Sequence, residues 1–183
     1  TRAPGAYHLA TGLGILSGCV GSNLSFFGNG NIEHWPNLYV LMLGPTGNAK
    51  TTSMRIGTNM LQRACPGTIY ADEFSQEAFI SALANHPTMV LEVEEFPTLL
   101  ELSQRSYLQG LKETLTKLYD PRETFRRSTK GEGDVTITRP ALTIIGASTT
   151  EWLVVNLEEV DFRSGFMPRF LLWPQAETDQ EPD

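Results

Sequence analysis

The segment Gly44-Pro45-Thr46-Gly47-Asn48-Ala49-Lys50-Thr51-Thr52 constrains this chain more than any other. The apolar run Leu38 to Leu43 leads into it, and a helical stretch from Thr51 to Ala64 follows, stopped by Pro66-Gly67. A short apolar run ended by Gly-Pro reads as a strand buried on both faces. Strand, Gly-containing loop and helix in that order make an anion cradle, because loop N–H groups converge on the ligand and the helix N-terminus faces it. The spacing is Gly, four residues, Gly, Lys, Ser or Thr, with Ala49 standing in place of the second Gly. Gly47 supplies a flexible position inside the loop. Ala49 costs nothing if its φ is negative and costs backbone freedom if its φ is positive. The whole loop, Gly44 to Thr52, therefore reads as a nucleotide cradle. In it Lys50 would neutralise the β- and γ-phosphates of ATP, and Thr51 would ligate Mg²⁺.

A second apolar stretch, Met89 to Val93, runs out into Glu94 and Glu95. Parallel strands bring their C-terminal ends to one edge of a sheet, where ligands bind. Glu94 is expected at the metal and Glu95 at the attacking water. The metal position is more often Asp, and Glu92 faces the other side of its strand. The plain alternative is a strand ending in a solvated acidic turn. A third apolar run, Ala141 to Ala147, ends at Ser148-Thr149-Thr150. Ser148, with Thr149 behind it, is expected to contact the γ-phosphate or the water, although these residues are equally good helix N-caps. Arg169 precedes a last short strand, Phe170 to Trp173. It could reach the phosphate of a neighbouring subunit as an arginine finger, with Arg163 as second choice. The plain alternative is a surface arginine paired with Asp161 or Glu159.

The remaining chain reads as alternating helices and strands. Helices are expected over Ala6 to Gly21, Ser75 to Asn85, Pro97 to Tyr119 and Thr150 to Leu157, with a short strand at Thr68 to Tyr70. Such alternation predicts an α/β fold with a parallel sheet. Phe125 to Ser128 and Val135 to Thr138 flank Lys130-Gly131-Glu132-Gly133-Asp134, a hairpin signature. This is the most basic stretch of the chain. Arg126, Arg127 and Lys130 could track a nucleic-acid backbone, or form an ordinary solvated face. The domain reading is an N-terminal helix and connector over 1–36, a core over 37–174 with the hairpin inserted at 122–139, and an acidic flexible tail over 175–183. The net charge is −7, but four acids lie in the last seven residues. The body is close to neutral, which argues against coating of duplex DNA by bulk charge. Cys19 and Cys65 have no zinc spacing and fit a reduced, cytoplasmic setting. His8, His34 and His86 are scattered, and His8 reads as a satisfied core residue. The chain opens at Thr1, which predicts a piece of a longer protein. No stretch is long and apolar enough for a membrane span.

In this order the motifs resemble an additional-strand P-loop ATPase of the AAA+ or helicase type. More closely, they resemble an uncharacterised domain family of phage, plasmid and bacterial primase–helicase-like proteins. The segments that carry this are Tyr39 to Gly47, Val93-Glu94-Glu95-Phe96, Leu118-Tyr119-Asp120 with Arg126 to Lys130, and Gly165 to Phe170. Pro168-Arg169-Phe170 also resembles the Ser-Arg-Phe motif of minichromosome-maintenance helicases, whose Arg is the finger. The resemblance implies a P-loop NTPase three-layer sandwich with a parallel sheet in order 5-1-4-3-2 and a β-hairpin insertion. It also implies a homo-oligomeric ring, a hexamer, with DNA as partner. The expected activity is Mg-dependent ATP hydrolysis driving DNA translocation or unwinding in replication of a phage or mobile element. An ATP-dependent switch that organises partner proteins is the alternative. A small-molecule kinase ranks third, because the acidic pair and Arg169 suit attack by water.

Overall fold

The three long apolar runs become adjacent strands of one sheet. The structure, a computed structural model, describes residues 2–70, 74–103, 110–129 and 133–175. In chain order the elements are α1 (Gly5–Val20), β1 (Phe26–Phe27), β2 (Glu33–His34), β3 (Tyr39–Leu43), α2 (Lys50–Ala64), α3 (Gln76–Asn85), β4 (Thr88–Val93) and α4 (Phe96–Leu102). They continue as α5 (Leu111–Tyr119), β5 (Thr124–Thr129), β6 (Gly133–Thr138), β7 (Ala141–Ser148), α6 (Thr150–Asn156), α7 (Glu159–Arg163) and β8 (Phe170–Pro174). The central sheet has the order β4-β7-β3-β8, all parallel. Every residue of β3 and β7 is buried, as continuous apolar runs require.

The expected strand at Thr68 to Tyr70 is reduced to one parallel bridge, Ile69 to Val90. The Tyr70 N–H donates to the Val90 carbonyl at 3.0 Å, and the Val90 N–H donates to the Thr68 carbonyl at 2.8 Å. Pro66-Gly67 turns the chain onto the β4 edge for those residues alone. Among the described residues the sheet thus has four strands, not five. The helix expected from Pro97 to Tyr119 is also not continuous. It is described as α4 and α5, and Gly110, at φ 85°, takes a left-handed turn into α5. The short β1–β2 hairpin and α7 were not expected from sequence. A reciprocal capping box between Glu158 and Asp161 starts α7.

Alternation along the strands builds two cores. Val40, Met42, Val90, Ile145 and Ala147 face α1 and α2. Tyr39, Leu41, Leu43, Leu91 and Ile144 face α3 to α6 and the β5–β6 hairpin. The result is an α/β sandwich with helices on both faces of a parallel sheet. Helix α1 lies directly on the sheet because its glycines leave room: a Cβ at Gly18 would overlap the Val90 side chain. No helix of the described residues is long and apolar enough to cross a membrane.

Candidate functional site

Strands β3 and β7 stop together. Leu43 is in register with Ser148, and the Gly44 N–H donates to the Ser148 carbonyl at 3.2 Å. In β4, Val93 is level with Gly146, so Glu94 and Glu95 leave the sheet at that same C-terminal edge. The segment Gly44–Ala49 loops over this edge and delivers the chain to α2 at Lys50. The Lys50 Nζ turns back into the loop and donates to the carbonyls of Gly44 at 2.6 Å and Pro45 at 2.7 Å. Burial lowers its pKa, and the charge of Glu151 partly opposes that. Thr46 and Gly47 are exposed at the crest of the loop, Thr51 is half-buried and Thr52 exposed, and Asn48 is buried beneath.

The departure at Ala49 has a structural consequence. Ala49 sits at φ 54° and ψ 27°, in the left-handed region. The position where the pattern asks for its second Gly is thus a position with a Gly conformation. An L-residue pays about 1–2 kcal/mol of Cβ crowding there.

Helix α1 supports the loop from below. The Tyr7 hydroxyl donates to the Leu43 carbonyl at 2.8 Å, and a Cβ at Gly44 would overlap that hydroxyl. Gly44 is therefore required by the close approach of Tyr7. At the next residue, His8 Nδ1 meets the Ser53 hydroxyl of α2 at 3.0 Å. Sequence reasoning missed Tyr7. An aromatic on an apolar helix carries no local signal of a contact 36 residues away.

The other expected site residues divide. Glu94 reaches the right edge, where Arg55 of α2 holds its carboxylate with two bonds, at 2.7 and 3.2 Å. Both side chains are exposed, so this pair is worth roughly 0–1 kcal/mol and can be exchanged for a cation. Glu95 is exposed at the start of α4. Ser148 is buried, and its hydroxyl donates to the Thr149 carbonyl at 2.7 Å. Thr149, not Ser148, caps α6 by accepting from the Trp152 N–H.

Arg169 lies elsewhere. Tyr39 pairs with Phe170, so Arg169 sits at the N-terminal edge, about 16 Å of strand away from the loop. It donates to Asp120 at 2.7 Å and to the Gly165 carbonyl at 2.7 Å, and its guanidinium lies over the Tyr119 ring at 5.6 Å. It does not join the phosphate loop of its own chain. For Arg169 the plain alternative of pairing with Asp161 or Glu159 is not observed, whereas for Arg163, the second choice, it is. Arg163 holds Glu159, and Lys112 holds the buried Asp161.

The hairpin flanks α3 and α5. Arg127 is half-buried and donates to Gln76 Oε1 at 2.8 Å and Thr114 Oγ1 at 3.4 Å. Gln76 Nε2 donates to the same Thr114 hydroxyl at 2.9 Å. This network forms one wall of a groove of about 460 Å³, lined also by Lys117, Arg122 and Arg126. Its acidic member is Glu113. Arg126 is exposed, and Lys130 lies outside the described residues. Arg139, at the hairpin base, is taken up by Glu33 and Glu123 and by the face of Trp35.

Among the described residues, no group of three or more His, Cys, Asp or Glu is placed to hold a metal. The oxygens of Thr51 and Glu94 are hard donors of the kind that would suit Mg²⁺. That ion prefers hard oxygen ligands, keeps several waters, and takes one or two carboxylates beside substrate phosphates. No protein-family model matches this chain, and no curated protein matches it.

Proposed function

We propose that this chain binds Mg·ATP at Gly44–Thr52 and hydrolyses it as a subunit of a ring that moves along or unwinds DNA. One observation carries the reading. Lys50 is partly desolvated at the first turn of α2, and its hydrogen bonds run to the loop's own carbonyls, on the sheet edge that also bears Glu95 and Ser148. An arriving phosphate offers that ammonium a charged partner in place of two neutral ones. Thr51 and Glu94 would hold Mg²⁺, which neutralises charge on the phosphates. Glu95 would orient the water, and the buried Ser148 hydroxyl would turn from Thr149 toward it. Arg169, on the opposite edge, would serve the neighbouring subunit's nucleotide, and leaving Asp120 would be part of that engagement. The Ile69 bridge would be the residue of the strand that completes the order 5-1-4-3-2. Arg126 and the groove beside Arg127 would receive the DNA backbone, with replication of a phage or mobile element as the setting.

The Arg55–Glu94 pair favours a second reading. A metal carboxylate already engaged by α2 suits a nucleotide-dependent switch that organises partners and turns over slowly. Turnover against protein concentration, with and without single-stranded DNA and with Lys50→Ala as blank, separates them. A per-subunit rate that climbs with concentration and again with DNA supports the motor. A flat, DNA-indifferent rate above the blank supports the switch. A wild-type chain that fails to bind Mg·ATP overturns both.

A further inference from the structure

Helices α1 and α2 run side by side in the same direction. Their N-terminal ends meet at the phosphate loop, through Tyr7 with Leu43 and His8 with Ser53. At the far end Cys19, in the last turn of α1, faces Cys65, the residue that closes α2. Their sulfurs are 3.7 Å apart, in contact and not bonded, although 46 residues separate them in sequence. Both are half-buried and so accessible in part to small reagents. Neither has a role in the site described above. The 15 residues of α2 place Cys65 about 22 Å from the phosphate loop.

We propose that Cys19 and Cys65 are a redox modification site, a dithiol that a small-molecule disulfide converts to an intramolecular disulfide locking α1 to α2. The thiolate of one cysteine attacks the reagent; a mixed disulfide forms and one reagent thiolate leaves. The second cysteine, as its thiolate, attacks the protein sulfur of that mixed disulfide. The Cys19–Cys65 bond forms and the second reagent thiolate leaves. Two protein thiols are oxidised, and one reagent disulfide is reduced to two thiols. The sulfurs must close from 3.7 Å to about 2.05 Å, at the ends of two neighbouring helices. Burial pushes the Cys19 thiol up, and the neighbouring Cys65 adds to this. The conversion is accordingly slow near neutral pH and faster as pH rises. The closed loop spans 46 residues, so the bond restricts the unfolded chain and raises Tm.

The test is incubation of the 183-residue chain in mixtures of oxidised and reduced glutathione, then acid quench, alkylation and intact-mass measurement. The expected product has lost roughly 2 Da, takes up no alkylating agent, regains both thiols with excess reductant, and melts above the reduced chain. Cys19→Ser and Cys65→Ser each stop at one glutathione adduct and lose the gain in Tm. Two glutathione adducts on the wild type, disulfide-linked dimers, two alkylatable thiols across the whole range, or an oxidised chain melting no higher than the reduced one each overturn the proposal.

Discussion

At the C-terminal edge of the sheet the cation Lys50 rests on two neutral carbonyls. At the N-terminal edge Arg139 and Arg169 rest on carboxylates and aromatic rings. A partly desolvated ammonium bonded only to carbonyls has exchanged hydration for dipoles, and burial lowers its pKa although the charge of Glu151 opposes this in part. An anion arriving there completes a charge pair. At the other edge the pairs are already made. Arg139 bridges the β1–β2 hairpin to the base of β5–β6, and Arg169 holds the end of α5 to the start of β8. The same residue classes therefore act as a poised site at one edge and as fasteners at the other.

Lys50→Ala tests the poised edge and should give the largest effect. Two hydrogen bonds to a charged group, at about 1.5 kcal/mol each, amount to about 3 kcal/mol, or a roughly 100-fold loss of Mg·ATP affinity. Fold stability should hold or rise slightly, because the substitution removes a partly desolvated cation. Calorimetric titration beside a thermal melt checks both, and an unchanged affinity would break the comparison at once.

Arg169→Ala tests the fastened edge. Its side chain is 24% exposed and Asp120 is 56% exposed, so the ion pair counts for little and the ring contact for somewhat more. A loss of about 1 kcal/mol is expected, or a Tm lower by about 2–4 °C for a chain of this length. Mg·ATP affinity of the dilute chain should not move. If Arg169 also serves a neighbouring subunit, turnover at high protein concentration drops while that affinity holds, which separates fastener from finger.

How much of this could be read beforehand follows from the range of each contact. Strands β3, β4 and β7 were legible because burial on both faces writes itself into consecutive residues. Ser75 was legible as a cap because its hydroxyl answers to a backbone N–H only three residues away. The loop from Gly44 to Thr51 was legible as spacing, but the sign of φ at Ala49 was not. That sign depends on how α2 docks against β3 and α1. Tyr7 beneath Gly44, Arg55 on Glu94 and Asp120 on Arg169 span 36 to 49 residues and leave no local pattern. The helix expected through Gly110 failed for the opposite reason. Leu spacing on both sides of that glycine is helical, and periodicity does not register a left-handed residue at the start of α5.

Ala49→Gly sharpens the poised edge by a smaller amount. Relief of left-handed crowding, about 1 kcal/mol, is partly offset by the added freedom of glycine in the unfolded chain. A net gain of about 0.5 kcal/mol is expected in denaturant titration, with Mg·ATP affinity kept. A loss of stability would mean that the Ala49 methyl makes a contact worth more than its strain.

The smallest effect belongs to acid and to the fastened edge. The Arg139 guanidinium and the Ser25 hydroxyl hold the Glu33 carboxyl down at about 2, against an ordinary 4.5. A lowered folded value means that the unfolded chain binds the proton first as pH falls. The clamp's contribution is therefore complete above pH 4.5 and drains away between there and about pH 2. Glu33→Gln lacks the charge at every pH. Its Tm should lie below that of the wild type near neutrality, and the two curves should converge as pH falls through that window. A gap that stays constant with pH would assign the difference to the shape of the side chain. One that widens in acid would mean that Glu33 is held by something other than Arg139.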